Sequence, residues 1–175
     1  MPWNLEETQN VDLSAERRML IMNPFYVDYL NSLAELHTEI IQTIRYLPQE
    51  ALDWNPFSGG NSLSVMIVHL TGAEKYWMGD VIAGESSGRD RPAEFQVKNV
   101  GIEDLESRLN ESLGYAELVL SKLELDDLEL NRISPRDGQE MTVSWALDHA
   151  LKHTAIHVGH IQITRQLWDQ TMVFD

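Results

Sequence analysis

The sequence predicts an all-α fold, a four-helix bundle, on three observations. Four stretches of the 175-residue chain carry apolar residues at helical rather than alternating spacing. Each stretch is bounded by capping residues, prolines or glycines where a helix would start or stop. Strand signal is weak: only the segment 128–142, around the turn Ser134-Pro135-Arg136-Asp137-Gly138, suggests a short hairpin.

Residues 1–22 carry weak signals and are expected as an N-terminal extension, either lying on the surface of the body or remaining mobile. The bundle is expected over 23–169, with 170–175 as a tail. The first helix opens at Asn23-Pro24, an N-cap followed by proline at the first helical position. Leu30, Leu33, Leu36, Ile40, Ile44 and Leu47 follow, and Pro48 ends it. Residues 48–61, PQEALDWNPFSGGN, make a compact connection. The second helix spans roughly Ser62 to Ala83, and the 18 residues GESSGRDRPAEFQVKNVG connect it to a third near 102–124. Ile102, Leu105, Leu109, Leu113, Ala116, Leu120 and Leu123 share one side of that third helix. Thr142 caps the fourth, which reaches about Trp168. Twenty helical residues span about 30 Å, so the connection 84–101 is long enough for a crossover that leaves helices 2 and 3 parallel.

Composition narrows the function classes. With 43% hydrophobic and 23% charged residues the chain is globular. A formal net charge of −15 repels phosphate backbones and anionic membrane surfaces, so neither nucleic acid nor a membrane is expected as partner. No run approaches the ~20 apolar residues of a membrane span. The start, MPWNLEETQN, shows no basic and apolar leader, and the cytoplasm is the expected compartment. The absence of cysteine excludes disulfides, thiolate ligands and a cysteine nucleophile.

The stretch HALKHTAIHVGH, residues 149–160, holds four of the six histidines. On a helical wheel Asp148, Lys152, Gln162, Gln166 and Asp169 mark the solvent side of the fourth helix. His157 then points almost straight into the core, and His153, one turn earlier, lies about 40° to one side. Ala146, Ala150, Ile161 and Thr164 share that inward face. His149 and His160 fall on the flank, some 60–80° from its centre. On the second helix Thr71, Glu74, Lys75 and Met78 mark the outer side, and His69 points inward among Met66, Gly72, Ala73 and Tyr76. Glu74, about 140° from His69, faces away, so no general base is assigned. His37, on the inward stripe of the first helix, reads as a core histidine with a hydrogen-bonded partner.

A single histidine on an apolar face is ordinarily a satisfied core residue. Three of them, two as H-x3-H, are different: each unsatisfied buried imidazole costs about 1–3 kcal/mol, and one shared divalent cation satisfies all three. H-x3-H sets both rings on one helical face, the spacing of metalloprotease zinc helices.

The stretches SGGNSLSVMIVHLTGAEKYWMGDVI and SWALDHALKHTAIHVGHIQITRQLW, in this order, resemble the DinB/YfiT-like superfamily over roughly residues 24–169. The resemblance implies an up-down-down-up bundle and a divalent metal held by His69, His153 and His157, the three residues the wheel also selects. Relatives often carry glutamine at the position of His160, which favours a supporting or pocket role for it over that of a fourth ligand. His149 ranks below it, as a flank residue. Characterised relatives are thiol-dependent transferases and isomerases that use a low-molecular-weight thiol, and a homodimer is the assembly implied.

Three neutral imidazoles with no fourth protein ligand describe an open site, the pattern of catalytic rather than structural zinc. Imidazole suits several metals, with zinc the first expectation and nickel the second. Any thiol must come as a co-substrate, into a pocket beside the metal lined by Tyr76, Trp77, Trp145 and His160. The expected function is a metal-dependent enzyme, thiol-S-transferase-like or hydrolase-like, acting on a small molecule. The alternative is a non-catalytic metal-binding or protein-interaction bundle with a structural metal, paired as a homodimer.

Overall fold

The computed structural model describes residues 22–172. Most of the predicted N-terminal extension and the last three residues of the predicted tail lie outside the described residues. The described chain is mostly helical, with one two-stranded sheet. Helix α1 runs Pro24–Ile44, capped by the Asn23 side chain, which accepts a hydrogen bond from the Phe25 amide. It stops short of Pro48 because Tyr46 takes a left-handed φ of 65°. The connection after it contains a short helix, α2, Gln49–Asp53. Helix α3, Leu63–Lys75, starts at Ser62, whose hydroxyl accepts from Val65 N. It continues without a break as a π-helical segment, Tyr76–Ala83, until Gly84 ends it at φ 70°. The predicted connection 84–101 holds a four-residue helix, α4, Arg91–Glu94, capped by Asp90.

Helix α5, Ile102–Leu120, is shorter than predicted and is followed by a 3-10 turn, Leu125–Glu129. Strands β1, Asn131–Ile133, and β2, Glu140–Thr142, pair antiparallel with Arg132 opposite Met141, around the expected turn. Helix α6, Val143–Thr171, starts as predicted at Thr142, whose hydroxyl accepts from Trp145 N at 3.2 Å. No described helix is long and apolar enough to cross a membrane.

The four long helices pack on one another: α1 on α5 and α6, and α3 on the same two from the other side. Tyr26, at the start of α1, donates to Glu124 O beyond the end of α5 at 2.8 Å. Along α6, Tyr29 donates to Leu147 O near its start, and Arg165 near its end reaches Thr43 O. Two apolar clusters fill the interior. One gathers Leu30, Leu33, Trp77, Met78, Ala116 and Ala150; the other gathers Ile40, Ile44, Leu63, Leu70, Leu109 and Ile161. Each large aliphatic side chain buried there contributes about 1.5–3 kcal/mol.

Between the clusters lies one polar layer, to which each long helix gives one residue: His37, Glu74, Ser112 and Thr154, all buried. The Glu74 carboxylate accepts from His37 Nε2 at 3.0 Å, Ser112 Oγ at 2.6 Å and Thr154 Oγ1 at 2.7 Å. This corrects the outward placement of Glu74, which is 2% exposed. Thr71 and Met78 are buried as well. On that side of α3 neighbouring helices cover Thr71, Glu74 and Met78, while Lys75 stays partly exposed and reaches Glu111 at 3.3 Å. Thr71 tolerates burial by donating its hydroxyl back to Ile67 O at 3.0 Å. Past Lys75 the wide π-helical turns also rotate side chains away from the α-helical wheel.

Candidate metal centre

Helix α3 and helix α6 bring His69, His153 and His157 together. One ring nitrogen of each lies within 4.8 Å of those of the other two. The ring centroids are 5.3 Å apart for His69 and His153, 5.2 Å for His69 and His157, and 4.5 Å for His153 and His157. His69 is buried, whereas His153 and His157 are half-buried. The wheel therefore needs turning by about 60°, the angle between His157 and Thr154. Thr154, fully buried in the polar layer, marks the inward face of α6, and the two histidines stand at the edge of that face. Solvent can thus approach them from the flank of α6.

The nitrogens are in the state a cation requires. Burial first, then the neighbouring histidines, push the pKa values of His153 and His157 down to about 4, so both rings are neutral at pH 7. Nδ1 of each is buried without a hydrogen-bond partner. Two such orphaned groups cost about 1–3 kcal/mol each. His69 differs, because Glu94 occupies its Nδ1 at 2.9 Å and leaves Nε2 available. Arg89 grips the same carboxylate twice, through Nε at 2.5 Å and Nη2 at 2.9 Å. Burial alone would raise the Glu94 pKa, but the hydrogen bonds from Arg89 and His69 outweigh it and hold the carboxyl below its usual range. Three convergent neutral imidazoles, two of them with unsatisfied nitrogens, fit a divalent cation of the zinc type.

The expected pocket residues divide. Trp77 is buried and Trp145 is 41% exposed, and their rings meet edge-on at 5.9 Å. His149 joins them: it stacks on Trp145 at 4.8 Å, lies 4.6 Å from Trp77 and is 6.4 Å from His153. Trp145, His149 and His153, one turn apart on α6, therefore form a ladder leading to the triad. His160 is exposed on the other side, 5.6 Å from His157. Tyr76 turns toward the hairpin instead, bonding Ser134 Oγ at 2.8 Å. Arg89 and Arg136 lie over its ring at 5.7 and 5.6 Å. Tyr76, Arg89 and Arg136, with Asp80, Arg91 and Pro135, line a cavity of about 270 Å³ to whose wall none of the three histidines contributes.

The sequence does not mark Glu94 and Arg89, which stand inside the connection 84–101. Asp90 and Pro92 were the available signal, a cap and a helix-starting proline that mark the α4 turn. Nor does the sequence mark the burial of Glu74 beyond setting an acidic residue in the apolar run MIVHLTGAEKYWMGDVI.

A model of the mycothiol-S-transferase family matches residues 29–170, a span that takes in all three histidines. Comparison with curated proteins finds no match.

Proposed function

This chain belongs to the mycothiol-S-transferase family, and from that premise we propose that it is a metal-dependent enzyme joining a low-molecular-weight thiol of the mycothiol kind to a small electrophile. The observation that carries the reading is the convergence of His69, His153 and His157 within 4.8 Å, with buried, unpartnered nitrogens on two of them. These three residues are the proposed ligands, with zinc the first candidate and nickel the second. When bound, such a cation supplies Lewis acidity and an exchangeable position at which a thiol gives up its proton readily.

The chain's own residues supply the rest. Neutral His153 and His157 offer lone pairs rather than positive charge, and their position at the edge of the core leaves the site approachable. The ladder of Trp145 and His149, backed by Trp77, forms one wall along which a co-substrate can lie, and His160 stands at the other. The chain has no cysteine, so the sulfur arrives with the co-substrate. In the transfer the S–H bond of the thiol and the bond from carbon to the leaving group break, and an S–C bond forms. The proton and the leaving group depart together as the acid. The helix contacts support an up-down-down-up bundle, with α1 running alongside α6 and the crossover through 84–101.

The test starts with metal content per chain on protein purified without a histidine tag, compared with His157→Ala. About one Zn or Ni per chain is expected in the native protein, lost in the variant together with mycothiol-dependent conjugation of a test electrophile. No metal uptake on soaking, or conjugation undiminished in His157→Ala, would overturn the reading.

A further inference from the structure

Gly72 sits inside α3, where glycine is less favourable than alanine by about 1 kcal/mol. The space beside it is taken. A methyl group built on Gly72 would collide with Glu94 Oε1, lie 3.0 Å from the carboxyl carbon of Glu94, and come 3.4 Å from Arg89 Nε. With no side chain there, the Glu94 carboxylate rests against the helix and reaches Nδ1 of His69, three residues earlier, at 2.9 Å. Glu94 is only 6% exposed, and Arg89 fixes both of its oxygens. An arginine-paired carboxylate is an acceptor only. Nδ1 of His69 therefore carries the proton, and its lone pair sits on Nε2.

We propose that Gly72, Glu94 and Arg89 form a positioning device that sets the tautomer and ring orientation of His69, so that Nε2 is presented toward His153 and His157. The relation of this device to a metal rests on the proposed function above; the tautomer does not. His153 and His157 have no equivalent, since their Nδ1 atoms lack partners, so His69 is the one member of the triad oriented in advance by a carboxylate. The segment 84–101 thereby becomes part of the site, and its length serves to carry Arg89 and Glu94 back over α3. Carboxylate partners of ligating histidines typically change metal affinity by 10–100-fold.

Gly72→Ala and Glu94→Ala test the device without altering a proposed ligand. Gly72→Ala is expected to fold, because alanine favours the helix and its methyl displaces only the Glu94 and Arg89 side chains. In metal-free protein the imidazole 15N shifts of His69 report which nitrogen is protonated; competition with a chelator reports Zn2+ affinity. The native protein should show His69 with the proton on Nδ1. Both variants should lose that preference and bind Zn2+ about 10–100-fold more weakly, with unchanged helical circular dichroism. A His69 tautomer indifferent to both substitutions overturns the device, and a shifted tautomer with unchanged Zn2+ affinity overturns its role toward the metal. If native protein binds no Zn2+ while the tautomer responds, the metal reading fails and the positioning of His69 stands.

Discussion

His153 and His157 make the stability of the metal-free protein depend on pH in a direction that can be worked out. Their pKa values are pushed down to about 4, first by burial and then by the neighbouring histidines, against about 6.5 in an unfolded chain. Between those values the unfolded chain binds more protons than the folded one. Stability therefore rises with pH across this window and is lost as pH falls from about 6.5 toward about 4. Metal-free protein should show Tm falling through that range, and the double variant His153→Ala, His157→Ala a flatter profile, read by thermal unfolding in a pH series. An equal slope in the variant would assign the titration to other groups. The pairing of these two side chains was legible from H-x3-H spacing alone, because residues four apart share a face of any α-helix. Their position at the edge of the face was not, because Thr154 rather than His157 meets the polar layer at its centre.

The elements are held by caps and by the polar layer, and each makes its own prediction. Thr142→Ala removes the acceptor of the Trp145 amide at the start of α6 and should lower unfolding free energy by about 1 kcal/mol, measured by urea denaturation. Glu74→Ala should do more. It strips His37 Nε2, Ser112 Oγ and Thr154 Oγ1 of their common acceptor in the core, and each buried donor left unsatisfied costs about 1–3 kcal/mol. A loss below about 1 kcal/mol in the same titration would mean that the layer reorganises or hydrates freely. The four long helices could be read from apolar spacing and from Asn23 and Thr142 as caps, since capping and amphipathicity are local properties. The π-helical segment at Tyr76–Ala83 could not, because a shift in hydrogen-bond register leaves no periodic mark in the sequence.

Over the whole molecule, a net charge of −15 repels itself in the compact state. Raising salt from about 0.01 M to about 0.15 M shortens the screening length from about 30 Å to about 8 Å. Tm should therefore rise over this range in differential scanning calorimetry. A falling Tm would show that attractive pairs such as Lys152–Asp148 and Arg165–Asp169 dominate instead. By itself the sequence determined the helical class, the starts of the long helices, the family to which the histidine-bearing helices belong and the three histidines that meet. All of these follow from spacing along a single helix or from residue types in order. Only the tertiary structure decided that Glu94 holds His69 across 25 residues of chain, that Gly72 leaves room for it, and that Glu74 is buried among three other helices. Helical spacing gives an angle about one axis. Which neighbours fill that direction depends on how the helices are rotated against one another and on the path of the loops between them.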